Sequence, residues 1–154
     1  MKTDFLVIGS GAAGLSFALR AARYGHVTLV TKGELVECNT NYAQGGICSV
    51  TYPPDTFEKH IEDTLVCGAG KCDRKAVELV VRRAPEAARD LIEWGVNFDK
   101  TPDGRFDLHR EGGHSEHRIL HHNDLTGAEI ERALIERVRS DANITVLEHH
   151  FAID

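Results

Sequence analysis

The chain has 154 residues, of which 42% are hydrophobic and 27% are charged, and its formal net charge is −6. This length suits one domain with its own core, and this balance is that of a globular protein. A net negative charge repels nucleic-acid phosphates, and no apolar run is long enough to span a bilayer, so neither nucleic acid nor a membrane is an expected partner. The four cysteines form no CxxC pair, which predicts reduced thiols and a cytoplasmic location.

The N-terminal segment has the pattern of a strand, a helix and a second strand. Phe5–Ile8 is a short apolar run, as expected of a buried parallel strand, and it leads into the glycine-rich turn Gly9–Gly14. Leu15–Tyr24 predicts a helix that ends at Gly25, and Val27–Val30 predicts the second strand. Three elements within about thirty residues predict a parallel β-α-β unit.

The middle of the chain has helical signals. Asp55 with Glu58, and Thr126 with Glu129, have the spacing of capping boxes, and each pair predicts the start of a helix. Pro85 falls inside another helical pattern, where it is expected to kink or restart the helix.

Two further strand signals follow. Pro102–Gly104 lies between Phe98 and Phe106 and predicts a hairpin, whereas Ile144–Leu147 predicts a third apolar strand. The order of strand, helix, strand, helices and strand predicts a Rossmann-like α/β fold, with a parallel sheet and flanking helices.

The glycine turn carries the first functional signal. In a dinucleotide-binding turn, Gly9 allows the tight bend, Gly11 lets the backbone approach a pyrophosphate, and Gly14 lets the helix lie close to the strand. The N-terminus of the helix then faces the anion with its partial positive charge. The alternative is an ordinary tight turn, but the flanking strands and helix favour a site for the ADP half of a cofactor.

One feature of a standard NAD site is missing after the second strand. An acidic residue usually holds the ribose there, whereas this chain has Thr31–Gly33. Lys32 cannot accept a hydrogen bond from a ribose hydroxyl. The sequence therefore favours a cofactor that is held differently from NAD.

Several segments together resemble a known family of flavoproteins, which includes succinate dehydrogenase, fumarate reductase and L-aspartate oxidase. The segments that carry the resemblance are Gly9–Leu15, Thr31–Gly33 and Asn39–Gly46. Within the family, the segments most similar to the L-aspartate oxidase branch are Tyr42–Gly46, Ile61–Leu65 and Arg110–Ser115. Family members are several times longer, so residues 1–154 are expected to be the N-terminal portion of an incomplete FAD-binding domain. The capping domain and the C-terminal helical domain are expected to be absent, and the chain alone to be inactive.

The resemblance implies a set of cofactor-binding residues. Those expected to wrap the FAD pyrophosphate, between Gly9 and Gly14, are Ser10, Gly11, Ala12 and Ala13. Lys32 is expected near the adenosine end. The residues expected to pass along the flavin are Asn39, Thr40, Asn41, Tyr42, Ala43, Gln44, Gly45 and Gly46.

The resemblance also implies how FAD is attached. Respiratory members of the family bind FAD covalently through a histidine, and the matching position here is Asn39. An amide nitrogen is not a suitable nucleophile for that bond, so non-covalent FAD is expected.

Glu111 matches a family carboxylate that orients the amino group of the substrate. A carboxylate only accepts hydrogen bonds, which suits an ammonium group. From residue type alone, a solvated glutamate beside Arg110 is the simpler interpretation. The implied reaction is oxidation of L-aspartate to iminoaspartate, with electrons passed to oxygen or fumarate. Iminoaspartate would then reach quinolinate synthase, on the route to NAD.

Two other functions are kept as alternatives. One is a flavoprotein similar to fumarate reductase or succinate dehydrogenase, and the other is a non-enzymatic nucleotide-binding module. A metal site is not expected, because the spacing of the nearby histidines matches no zinc signature; these are His114, His117, His121 and His122.

Overall fold

The computed structural model describes residues 2–153, which form two compact units. The parallel unit contains residues 2–44, 94–96 and 125–153, and the antiparallel unit contains residues 45–93 and 97–124. In chain order the elements are β1 (Phe5–Ile8), α1 (Ala12–Ala21), β2 (Val27–Val30), β3 (Ile47–Cys48), α2 (Phe57–Cys67), α3 (Arg74–Glu93), β4 (Leu108–His109), β5 (Ile119–Leu120), α4 (Thr126–Arg139) and β6 (Ile144–Leu147).

The sheet of the parallel unit has the strand order β1-β2-β6, and both pairings are parallel. Val27 of the central strand pairs with Phe5 on one side and with Ile144 on the other. Val27 and Leu29 are fully buried, as a continuous apolar run in a parallel sheet predicts. The burial predicted for β1 is wrong in part, because β1 is an outer strand of the described sheet and two of its four side chains are exposed. The predicted α/β fold with a parallel sheet and flanking helices is therefore confirmed.

Helices α1 and α4 pack against each other through small and branched side chains. Leu15 and Ala18 of α1 and Leu134 and Val138 of α4 are fully buried. Each leucine buried in this way stabilises the fold by about 1.5–3 kcal/mol. The capping box predicted at Thr126 is wrong, because this residue is the first residue of α4 and its side chain is buried in the core.

The antiparallel unit has a small sheet of strand order β3-β5-β4 and the helices α2 and α3, which pack together. The predicted capping box of α2 is displaced by one residue. Thr56 is the N-cap, and its hydroxyl accepts a hydrogen bond from the Lys59 amide at 3.2 Å. The Asp55 carboxylate instead pairs with the buried Arg118, which is the stronger partner.

Helix α3 continues through Pro85, so of the two outcomes predicted there, a kink or a restart, the restart is wrong. A proline removes one intrahelical hydrogen bond, and burial of Val81 and Ala88 on the inner face offsets that loss. The predicted hairpin is confirmed by the hydrogen bond from the Thr101 amide to the Arg105 carbonyl at 2.9 Å. Among residues 2–153, no helix combines the length and the apolar character needed to cross a bilayer.

Candidate functional site

The turn between β1 and α1 requires glycine at two of its positions. Gly9 has a φ of +104°, and its amide donates to the Val30 carbonyl at 2.8 Å. A Cβ on Gly14 would collide with the Gly9 carbonyl oxygen, so α1 approaches β1 too closely for any side chain there. Gly11 is the N-cap of α1, in an ordinary extended conformation. This geometry is that of a turn built to admit a ligand at the N-terminus of the helix.

A cavity of about 540 Å³ opens at this turn. Its lining comes from four stretches of the parallel unit, namely residues 8–11, 30–32, 37–40 and 150–152. Six residues expected to hold FAD meet in it: Gly9, Ser10, Gly11, Lys32, Asn39 and Thr40. The volume falls in the range of roughly 300–1,000 Å³ found for small-molecule and cofactor sites.

Two hydroxyl groups tie the walls of this cavity together. The Thr40 hydroxyl accepts a hydrogen bond from the Ala12 amide at 3.1 Å, which joins the predicted flavin segment to the first turn of α1. The hydroxyl oxygens of the buried Ser10 and of Thr31 lie 3.2 Å apart. The positions of the glycine turn, of the end of β2 and of the 37–40 loop are therefore coupled.

The rest of the predicted flavin segment divides into parts with different surroundings. Asn41 lines a separate groove, and Tyr42 is 65% exposed. Ala43 and Gln44 are also exposed. Gly45 and Gly46 belong to the antiparallel unit. A Cβ on Gly46 would collide with the Leu120 carbonyl oxygen, so packing against β5 already requires a glycine at this position.

Gly127 is a close-contact glycine that the sequence analysis missed. Its amide donates to the Ala43 carbonyl at 2.9 Å, and a Cβ would collide with the carbonyl oxygens of Thr40 and Ala43. The first turn of α4 thus supports the 40–43 loop directly. A Thr-Gly pair at the start of a predicted helix was the only available signal.

Glu37 was also missed, and it supplies a chemical group that Thr31–Gly33 lacks. Its side chain lines the glycine-turn cavity, and one carboxylate oxygen accepts a hydrogen bond from the Tyr42 hydroxyl at 2.8 Å. An acceptor-only carboxylate matches a sugar hydroxyl. Nothing in the local sequence separates Glu37 from an ordinary loop glutamate.

Glu131 of α4 is fully buried, and neither carboxylate oxygen makes a hydrogen bond within the described part of the chain. Burial raises the pKa of Glu131 to about 7, and the neighbouring Cys38 thiol offsets part of that rise. Burial likewise raises the pKa of Cys38. Glu131 is therefore a neighbour of Cys38, the residue before Asn39, and its pKa is close to neutrality.

Glu111 lies in an exposed turn of the antiparallel unit. The His114 amide closes the turn by donating to the Glu111 carbonyl at 3.1 Å, and Gly113 has a φ of +88°. A Cβ on Gly113 would also collide with the Cys67 sulfur. Of the two glycines after Glu111, only Gly113 is required both for its positive φ and for its close approach to Cys67.

A buried ion-pair network holds the far end of this turn. Both the amide and the hydroxyl of Ser115 donate to the Asp63 carboxylate at 2.8 Å, and the Arg118 guanidinium donates to the same oxygen at 2.5 Å. Arg118, which is fully buried, also binds both carboxylate oxygens of Asp55 at 2.9 and 2.8 Å. Burial raises the pKa of Asp63, but the bonds from Ser115 and Arg118 outweigh it and hold that pKa at about 2.

Residues 4–154 match the family model described as FAD binding domain, and the chain therefore belongs to that family of flavin-binding proteins. FAD is the cofactor of the family, and the residues present fit it. The glycine turn leaves open the space that side chains would otherwise fill. The partial positive charge at the N-terminus of α1 favours the binding of an anion there.

Among curated proteins, the chain is similar to L-aspartate oxidases. It is 53% identical to the chloroplastic enzyme of Oryza sativa over 151 residues, which is 98% of this chain and 23% of that protein. It is 49% identical to the L-aspartate oxidase of Vibrio cholerae over 158 residues, covering 99% of this chain and 30% of that protein. The chain thus spans about a quarter of the length of these relatives.

Solved structures of a quinol fumarate reductase chain and of Sdh1 share the fold. The FrdA chain of E. coli quinol fumarate reductase matches with a TM-score of 0.90 and 28% identity, over 98% of this chain and 26% of that chain. Mycobacterium smegmatis Sdh1 matches with a TM-score of 0.86 and 31% identity, over 96% of this chain and 27% of that chain.

Proposed function

We propose that the protein is an L-aspartate oxidase, which oxidises L-aspartate to iminoaspartate with FAD and passes the electrons to oxygen or fumarate. The observation that carries the proposal is the glycine-turn cavity, in which six residues expected to hold FAD meet. The identity of about 50% with L-aspartate oxidases supports the choice of substrate.

The parallel unit would bind the ADP half of FAD. The backbone of Ser10–Ala13 and the N-terminus of α1 hold the pyrophosphate in this proposal, because amide groups and the helix dipole favour an anion. Glu37 accepts a hydrogen bond from a ribose hydroxyl, and Lys32 lies at the adenosine end. FAD, when bound, supplies the hydride-accepting chemistry.

Glu111 would select the amine-bearing substrate. Its carboxylate accepts a charge-assisted hydrogen bond from the ammonium group of L-aspartate, whereas succinate and fumarate offer no such donor. The Asp63–Ser115 and Asp63–Arg118 bonds hold the end of the Glu111 turn, so the carboxylate is presented from a fixed base.

A dicarboxylate dehydrogenase or reductase is the alternative function, which the fold match with the FrdA chain favours. It differs from the first proposal in the role of Glu111, because a carboxylate repels a substrate that carries only negative charges. Substrate selectivity therefore decides between the two.

The Glu111→Gln variant of the full-length protein tests the proposal. Loss of a charge-assisted hydrogen bond costs about 1.5–3 kcal/mol, which corresponds to roughly tenfold to hundredfold in rate. We expect kcat/KM for L-aspartate to fall by that factor and kcat/KM for fumarate reduction to stay level or rise. The measurement is the ratio of the two values in wild type and variant.

The matched control is Glu62→Gln, at an exposed glutamate of the same unit. It removes the same charge and is expected to leave the ratio unchanged. An equal ratio in wild type and Glu111→Gln would assign Glu111 to the solvated surface and remove the support for aspartate as substrate.

Asn39 predicts that the flavin is not covalently attached. Acid precipitation of the full-length holoprotein is expected to release all the flavin into the supernatant, where its absorbance measures it. Fluorescence that stays with the protein band on a denaturing gel would contradict a dissociable cofactor.

The product and the compartment belong to the same proposal. Iminoaspartate would pass to quinolinate synthase, in the synthesis of the NAD ring. All four cysteines are free, which supports a reducing compartment, and we propose the cytoplasm.

A further inference from the structure

Three metal-ligand side chains converge at one end of the antiparallel sheet. They are Asp107, His109 and His121, and one ligand atom from each lies within 4.8 Å of the others. None of the three has a role in the proposed reaction. Two imidazoles and a carboxylate form a donor set that binds zinc in enzymes.

The sheet register explains why residues distant in sequence meet here. Leu108 of β4 pairs with Leu120 of β5 in antiparallel fashion. Asp107 directly precedes that pair on one strand and His121 directly follows it on the other, so both leave the sheet at the same end. His109 is two residues from Asp107, on the same face by strand periodicity.

The environment of His121 gives independent support for a metal site. The residue is only 6% exposed, and neither of its ring nitrogens makes a hydrogen bond within residues 2–153. A buried imidazole without such bonds is unfavourable, because its polar atoms lose contact with water and gain no other hydrogen-bond partner. The Nε2 atom lies 3.9 Å from the Asp107 carboxylate, a separation that a single ion between them can bridge.

The other nitrogen of His121 faces a carboxylate that is itself held in place. Nδ1 lies 3.3 Å from Asp99 Oδ2, which accepts a hydrogen bond from the Asn123 amide at 2.7 Å. Histidines that bind a metal through one nitrogen commonly present the other to a carboxylate, which fixes the tautomer and raises the basicity of the ligand. Asp99 occupies that supporting position.

We propose that the antiparallel unit binds one divalent transition-metal ion, with zinc as the preferred ion, through His121 Nε2, His109 and Asp107. Asp99 is a positioning residue that orients His121. The proposal departs from the spacing argument above, which predicted no metal, because the ligands meet through strand pairing and not through a local motif. It is independent of the oxidation of L-aspartate.

One adjustment accompanies metal binding. The rings of His109 and His121 stack with their centroids 3.6 Å apart, and the angle between their planes is 23°. A metal lies in the plane of each imidazole it binds, so two nearly parallel rings cannot share one ion. In this proposal the exposed His109 is the ring that turns toward the ion, because His121 is buried.

The test is titration of the full-length protein with Zn²⁺ and with Co²⁺ after treatment with a chelator and dialysis. We expect one ion per chain by calorimetry. We also expect a cobalt ligand-field spectrum without a thiolate charge-transfer band, because the ligands are nitrogen and oxygen. Absence of binding at millimolar Zn²⁺, or a thiolate band, would overturn the proposal.

Single variants identify the ligands. His109→Ala and Asp107→Asn change accessible side chains and are expected to weaken Zn²⁺ binding at least roughly tenfold, and Asp99→Asn to weaken it by a similar factor through His121. The control is His117→Ala, at an exposed histidine of the same unit, which is expected to bind as wild type does. Equal affinity in His109→Ala and His117→Ala would show that surface histidines bind the ion without a defined site.

Discussion

The candidate ligand-binding regions of the two units are held in shape by different physical interactions. In the parallel unit, backbone geometry forms the cavity: Gly9 turns with a positive φ, and Gly14 lets α1 lie against the turn. In the antiparallel unit, buried charges hold the turn that carries Glu111, through the pairs of Arg118 with Asp55 and with Asp63. A binding region formed by close backbone packing is expected to tolerate a change of charge but not an added side chain. A turn held by buried ion pairs is expected to tolerate a small change of side-chain volume but not the loss of a charge.

The largest expected effect on the free energy of unfolding comes from the removal of Arg118. In Arg118→Leu, the Asp55 carboxylate stays buried without the guanidinium that binds both of its oxygens. Breaking a buried ion pair from one side lowers the free energy of unfolding by about 3–5 kcal/mol. Equilibrium chemical denaturation of the full-length protein, followed at several denaturant concentrations, measures the loss.

Two further variants serve as controls for Arg118→Leu. Arg83→Ala removes an exposed ion pair with Glu86 and is expected to cost less than about 1 kcal/mol. The double variant Asp55→Leu/Arg118→Leu replaces both charges and is expected to recover much of the loss, because no buried carboxylate is left at position 55. A similar cost for Arg118→Leu and Arg83→Ala would mean that the network does not hold the unit together.

Glu131 is the exception in the parallel unit, because it is a buried titratable side chain in a unit whose ligand-binding region is formed by backbone geometry. Its folded pKa of about 7 lies above the reference value of 4.5, so between these pH values the folded protein keeps a proton that the unfolded chain has released. Stability therefore falls as pH rises from about 4.5 to about 7, by about 3 kcal/mol in total. In Glu131→Gln this pH dependence is expected to disappear.

The measurement is the free energy of unfolding of both proteins at pH 4 and at pH 8. The difference between Glu131→Gln and wild type should shift in favour of the variant by about 3 kcal/mol over that interval. Glu136→Gln, at an exposed position of the same helix, is expected to show a far smaller shift. Parallel pH profiles for wild type and Glu131→Gln would mean that the carboxyl is not held neutral by burial.

The smallest expected change in free energy is that of FAD binding when a residue of the glycine turn is replaced. Gly11 has an ordinary φ of −69°, so a side chain there fits the local backbone, but it would enter the space assigned to the pyrophosphate. Gly11→Val is expected to weaken FAD binding roughly hundredfold, or by about 2.7 kcal/mol. Calorimetric titration of the apoprotein with FAD gives the affinity.

Gly33→Val is the control, since Gly33 does not line the cavity and a Cβ there would make only an ordinary contact with the Glu37 side chain. We expect its FAD affinity to equal that of wild type. If Gly11→Val binds FAD as tightly as Gly33→Val does, the glycine turn is a structural bend and not a cofactor cradle.

The sequence predicted the parallel unit well because its signals are local. Phe5–Ile8, the glycine turn and Val27–Val30 occupy about thirty consecutive residues, and each has a strong intrinsic preference. Ile144–Leu147 was predicted as a strand, but its place beside β2 follows from pairing across more than a hundred residues. The predicted cap at Thr126 is wrong because α4 begins earlier than the local pattern indicates, with Leu125 as its N-cap.

The decisive contacts of the antiparallel unit could not be predicted in the same way. Asp63 lies in the segment Ile61–Leu65, and Ser115 lies in Arg110–Ser115, both of which carried the resemblance to L-aspartate oxidase. That these two segments contact each other became visible only in the fold. Charged residues are usually exposed, so no pattern in the sequence distinguishes Arg118 or Glu131 as buried.

The lining of the glycine-turn cavity has a consequence for the order of events during synthesis. Residues 8–11 line one wall and residues 150–152 another, and the His150 amide donates to the Thr31 carbonyl at 3.0 Å. The glycine motif is synthesised at the start of translation, whereas residues 150–152, which line another wall of the same cavity, follow about 140 residues later. Contacts this distant in sequence form slowly, because the intervening chain must first be ordered. This part of the cofactor pocket therefore forms late in folding, after the residues up to Ala152 have been synthesised.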